Sequence, residues 1–156
     1  MKTFLLTTLL ATIFFGCSKH SAFSDFNLTI SQEKSEDSIQ SAKINNKNDT
    51  IGLLSAIHLN KVYPNTYNND EYFYIYLYTK ETTESLNFIL NDTLALNVEE
   101  LKSDNQFSFH LTSPTEKWKK YFLVKFKQQK KGSLLTLEVK NSLIASTKML
   151  FRKEEN

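Results

Sequence analysis

Residues Glu71-Tyr-Phe-Tyr-Ile-Tyr-Leu-Tyr-Thr-Lys80 alternate tyrosines with Phe73, Ile75 and Leu77. Period two is the side-chain period of a β-strand, so Tyr72, Tyr74, Tyr76 and Tyr78 share one face and Phe73, Ile75 and Leu77 the other. Such a strand has no ordinary water-facing side. Aromatic side chains bury about 150–250 Å² each, and four exposed tyrosines make a patch beyond the roughly 300–600 Å² usual on a monomer. The fold must either cover the tyrosine face with another part of the chain, Phe26 to Ile30 or the linker after it, or present it as a binding or self-association surface. Tyrosine suits the second role because its ring is rigid and its hydroxyl tolerates water.

From Ile51 onward the chain repeats the same pattern in short pieces. Ile51 to Tyr63 is rich in β-branched residues and leucine and is ended by the turn-forming cluster Pro64-Asn-Thr-Tyr-Asn-Asn-Asp70. Leu86, Phe88 and Leu90 alternate before Asn91-Asp92, a turn or kink, and Leu94, Leu96 and Val98 alternate after it. Phe107, Phe109 and Leu111 predict another strand, and Phe122, Val124 and Phe126 point inward from a strand that leaves Lys125 and Lys127 in water. Lys130-Lys-Gly132 is a hairpin signal, with glycine supplying positive φ. Leu135, Leu137 and Val139 define the return strand, and Leu143 to Phe151 is the last. Seven to nine strands separated by turns, with no strong helical period, predict an all-β antiparallel sandwich or barrel over 51–156.

The amino-terminal part differs in kind. Lys2 precedes an uncharged, largely apolar run from Thr3 to Phe15, then Gly16 and Cys17, the one cysteine of the chain. The run is shorter than the about 20 residues a membrane-spanning helix needs, which suits a cleaved signal segment over 1–16. Residues 17–50 read as a polar tether, with Phe26 to Ile30 as a short first strand. Ser31 to Thr50 is poor in apolar residues, so its composition predicts a linker or loosely packed excursion.

Charge excludes some roles. Without Lys2, 18 basic residues face 17 acidic ones, and a nearly neutral exported domain is a poor nucleic-acid binder. Lys117 to Lys131 holds seven lysines and no acid. These read as solvated strand and turn positions that guard against edge pairing, with Lys125, Lys127, Lys130 and Lys131 as candidate contacts to envelope phosphates. No motif for catalysis stands out: His20 lies in the tether, and His58 and His110 sit apart on predicted strands. Metal-ligand spacings are missing, and three glycines cannot build a phosphate loop. The expectation is a non-enzyme without a metal or diffusible cofactor. Asp25-Phe-Asn27-Leu-Thr29 fits an extended bacterial glycosylation acceptor, which marks Asn27 as a candidate site; Asn48-Asp-Thr50 and Asn91-Asp-Thr93 are ordinary sequons.

Phe14-Phe15-Gly16-Cys17 resembles the lipobox of bacterial lipoproteins, with Phe14 where leucine is usual and Phe15 where a small residue is more common. The resemblance implies cleavage after Gly16 and a covalent lipid on Cys17, and Ser18 in place of aspartate implies the outer membrane, its periplasmic or surface face left open. Two or three acyl chains anchor stably. The strand series also resembles the immunoglobulin-like sandwich of small envelope lipoproteins, without the cysteine pair and buried tryptophan of antibody domains. Together these imply a lipid-anchored envelope protein that binds an envelope or host protein, or adheres, through a strand surface. The alternative is a structural or accessory lipoprotein without host contact.

Overall fold

A computed structural model describes residues 34–35, 38–47, 49–110 and 118–153. The predicted signal segment over 1–16, Gly16, Cys17, the predicted strand at 26–30 and Asn27 lie outside the described residues. Ten strands follow in chain order: β1 (Ile39–Asn46), β2 (Asp49–His58), β3 (Glu71–Thr79), β4 (Asn87–Leu90), β5 (Thr93–Leu94), β6 (Asn97–Leu101), β7 (Lys119–Phe126), β8 (Leu134–Lys140), β9 (Ala145–Ser146) and β10 (Met149–Arg152). A one-turn helix α1 (Leu59–Val62) follows β2, and a 3-10 turn (Ser108–His110) follows β6. Each strand pairing is antiparallel, so the all-β antiparallel class holds.

The strands run β5-β4-β8-β9-β1-β2-β3-β7-β6, with β10 added to β8. β3 sits between β2 and β7 over nearly its whole length, as a strand apolar on both faces requires. The sheet curls until its two end strands, β5 and β6, are consecutive in the chain. Ala95 donates its N–H to the Phe88 carbonyl at 3.0 Å, and Leu96 donates to the Lys125 carbonyl at 2.8 Å. Adjacent residues thus bond to opposite ends of the curl, and the chain crosses from one edge to the other.

Inside the curl lies the main core. Ala42, Ile44, Leu54, Ala56, Phe73, Ile75, Leu77, Phe122, Val124 and Phe126 face Phe88, Leu90, Leu135, Leu137, Val139, Ile144, Met149 and Phe151. A second cluster coats the opposite face of β3, where Ile57, Leu59, Val62, Tyr74, Tyr76, Phe107 and Tyr121 pack with Tyr63, Tyr67 and Leu101 around them. The predicted inward set Phe122, Val124 and Phe126 is buried, and Asn91 and Asp92 form a tight turn with φ of 47° and 61°. Gly132 has φ 69°, as its hairpin position requires.

Three expectations are overturned. Residues 39–46 belong to no tether; they form β1, an interior strand that pairs with β2 along eight positions. Average composition hid a period-two pair, Ala42 and Ile44, both buried in the main core while Lys43 faces water. The folded region therefore starts ahead of residue 51. Ile51 to Tyr63 does not stay extended, because the chain turns helical at Leu59 to bury Leu59 and Val62 over the tyrosines. Phe107 and Phe109 do not share a strand face: Phe107 is buried against Tyr74 beside the 3-10 turn, and Phe109 is exposed. Leu111 lies outside the described residues.

Candidate functional site

The tyrosine face is divided by its cover. Tyr74 is fully buried and Tyr76 is 8% exposed, so the interface expectation fails at both. The reason is a lid of aromatic rings: Phe107 lies 5.2 Å from Tyr74, and Tyr121 lies 6.2 Å from Tyr74 and 5.5 Å from Tyr76. Burial holds the Tyr74 hydroxyl up at about 12, against a hydrogen bond from Asn105. The cover comes from 59–67, 101–107 and β7. Tyr72 and Tyr78, at the ends of the strand, stay half-buried. Tyr72 packs 4.8 Å from Tyr67, and Tyr78 stands edge-on to Trp118.

At one end of the core, elements distant in sequence meet around Glu71. The side chain of Glu71 shares strand parity with Phe73 and Ile75, so it enters the core and is fully buried. His58, on the core-facing parity of β2, approaches through Nε2 at 3.0 Å from Oε2 and stacks on Phe73 at 4.9 Å. The other oxygen, Oε1, accepts from the Gln129 N–H at 3.0 Å and from Lys153 Nζ. Lys153 also donates to the Gln129 carbonyl at 2.8 Å. Burial pushes the Glu71 carboxyl up, but hydrogen bonds from His58, Lys153 and the Gln129 N–H outweigh it and bring it down to about 2. Glu71 is therefore a buried carboxylate with its charge balanced locally.

Above this network opens a cavity of about 350 Å³, lined by Lys34, His58, Asn60, Lys61, Pro64, Tyr67, Asn68, Gln128, Lys131, Arg152 and Lys153. A smaller cavity of about 210 Å³ shares His58, Lys61 and Arg152 with it. No carboxylate is among the described lining residues of the larger one. Asn60 shapes its wall by donating to the Asp70 carbonyl at 2.5 Å and accepting from the Tyr72 N–H at 2.8 Å.

The four lysines singled out from the sequence do not act as one patch. Lys125 pairs with Asp70 at 2.9 Å and lies 5.7 Å over the Tyr72 ring; the Asp70 hydrogen bond raises its ammonium. Lys127 and Lys130 are exposed, and of the four Lys131 alone reaches the cavity. His58 and His110 are not the isolated residues the sequence suggests. His110 holds the Tyr63 hydroxyl at 2.8 Å and Ser35 Oγ at 2.9 Å, and burial lowers its imidazole below the usual value. Among the described residues no group of three or more His, Cys, Asp or Glu side chains could hold a metal ion. None of their helices is long and apolar enough to cross a membrane.

A second feature is the sheet edge formed by β6. β6 pairs with β7 and with no other described strand, which leaves one row of its backbone groups open. Leu94, Leu96 and Val98 line the place where the chain crosses between the sheet edges, with exposures of 58%, 60% and 43%. Beside them Glu100 is held by Lys120 at 3.0 Å. Comparison of the chain with protein-family models, with curated proteins and with solved structures returns no match.

Proposed function

We propose that this protein is a lipid-anchored module of a bacterial outer membrane, held by acylated Cys17, which captures an extended segment of a partner protein through a strand surface. The observation that carries the reading is the open edge of β6 beside the exposed stripe Leu94, Leu96 and Val98. Strand addition to such an edge gives affinity through main-chain hydrogen bonds, and alternate side chains supply specificity. The stripe offers apolar contact, and the exposed Glu99 next to it favours a partner strand carrying Lys or Arg. The same glutamate disfavours pairing with a second copy, because antiparallel pairing centred on Glu99 sets like charges opposite each other.

The lipobox residues Phe14 to Cys17 support the address, and the antiparallel strand series around one apolar core supports the immunoglobulin-like reading of the domain. The continuous hydrogen-bonded path through β9 sets it apart from two separate sheets.

Two variants test the two halves of the reading. Cys17→Ser should release the protein from the membrane fraction of its native host, and persistent attachment overturns the anchor. A photo-crosslinking residue at Leu96 should give one discrete adduct on intact membranes, lost when Val98→Lys is added. Absence of an adduct, or one unaffected by that change, overturns the edge as the capture surface.

A further inference from the structure

We infer that the cavity beside Glu71 binds a small organic phosphate, of about monosaccharide-phosphate size. This goes beyond capture of a protein at β6, and it rests on different side chains.

The positive charges that line the cavity arrive from separate chain segments. Lys34 precedes β1, Lys61 lies in α1, Lys131 belongs to the turn before β8, Arg152 ends β10 and Lys153 follows it. The convergence is produced by folding, not by one lysine-rich stretch. Beneath them Glu71 is paired with Lys153 and hydrogen-bonded to His58 at the floor, and the exposed Arg152 and Lys34 line the cavity above it. Cations around a concave, low-dielectric wall focus that field on whatever enters. Arg152 matters most for the choice of anion, because a planar guanidinium matches two phosphate oxygens at once.

The cavity also has room for more than inorganic phosphate. At about 350 Å³ it falls within the range of small-molecule sites. Tyr67 and Pro64 provide an apolar wall, while the exposed Asn68 and Gln128 carry amides suited to hydroxyl groups. A phosphomonoester on a hydroxylated ring satisfies both halves. Such a group occurs on free sugar phosphates and on phosphorylated glycolipid headgroups, and the cavity chemistry is common to the two.

The test is calorimetry on the full-length lipidated chain in detergent. Glucose 6-phosphate should bind saturably, and the exposed-site variant Arg152→Gln should weaken it about tenfold, as expected for loss of a charge-assisted pair. Lys34→Gln should weaken it less, and the remote Lys102→Gln not at all. Vesicles of phosphatidylcholine with and without monophosphorylated lipid A provide the second arm. Binding to the doped vesicles alone, sensitive to Arg152→Gln, assigns the site to the headgroup; binding of the free sugar phosphate assigns it to soluble ligand. The inference is overturned if neither probe saturates, if glucuronate binds as tightly as glucose 6-phosphate, or if Lys102→Gln weakens binding as much as Arg152→Gln. Val98→Lys should leave these affinities unchanged, so failure here and failure of partner capture are read separately.

Discussion

Replacing Glu71 by glutamine removes one charge from the interior and nothing from the shape. In the native protein three hydrogen bonds hold the carboxylate ionised despite burial, bringing its pKa from 4.5 to about 2. By linkage that difference corresponds to about 3 kcal/mol of stability at neutral pH. The sign follows from the depressed value: the contribution is complete above pH 4.5 and disappears as pH falls through about 2. Glu71→Gln should therefore lose about 3 kcal/mol at pH 7, and stranding the part-buried Lys153 without its partner makes about 3–5 kcal/mol the expected range. With a urea slope of roughly 2 kcal/mol per molar, the unfolding midpoint drops by about 1.5–2.5 M. At pH 3 the native carboxyl has yielded more than half of its contribution, so the linkage part of the gap should shrink to about 1.4 kcal/mol. Urea unfolding of both proteins at the two pH values checks this. A gap equally large at pH 3 and pH 7 would refute the electrostatic reasoning, because loss of packing or of neutral hydrogen bonds has no such pH dependence.

Two further outcomes follow from backbone geometry. A Cβ at Gly52 would overlap the Tyr78 carbonyl oxygen and stand 2.9 Å from Thr79 Cβ; because the obstacle includes main chain of the central strand, Gly52→Ala should cost about 2–3 kcal/mol and lower the thermal midpoint by about 5–15 °C. Asp92 holds φ of 61° in the β4–β5 turn, and Asp92→Gly should raise stability by about 0.5–1 kcal/mol, read as a higher denaturant midpoint.

Much of the sheet was legible because local pattern and final environment agree. The Tyr72–Tyr78 alternation demanded cover on both faces, and β3 has it; Asn91-Asp92 and Gly132 announced turns through their tolerance of positive φ. What covers the tyrosines was not legible, since α1 and Phe107 adopt their conformations to bury side chains that only the fold brings near. β1 was hidden for a related reason: two small-to-medium apolar residues in a polar stretch predict little until β2 and β9 flank them. Glu71 did carry a readable signal, a carboxylate on the parity of Phe73, Ile75 and Leu77. Its partner Lys153 lies 82 residues away, and no spacing rule links the two. The cavity follows the same logic, because its cations come from four segments with no common motif.

The interior position of β1 bears on how the domain carries mechanical load. Among the described residues, tension transmitted from the amino-terminal side reaches the sheet through β1, and in many sheets a first strand is an edge that peels away alone. Here β1 is flanked by β2 along eight paired positions and by β9 on its other side. Its core residues Ala42 and Ile44 belong to the same buried cluster as Phe88 and Leu90 of β4 and Phe122, Val124 and Phe126 of β7. Drawing β1 out means opening the middle of the sheet and exposing the main core in the same event, so the domain resists pulling from its amino-terminal side as a unit rather than fraying strand by strand.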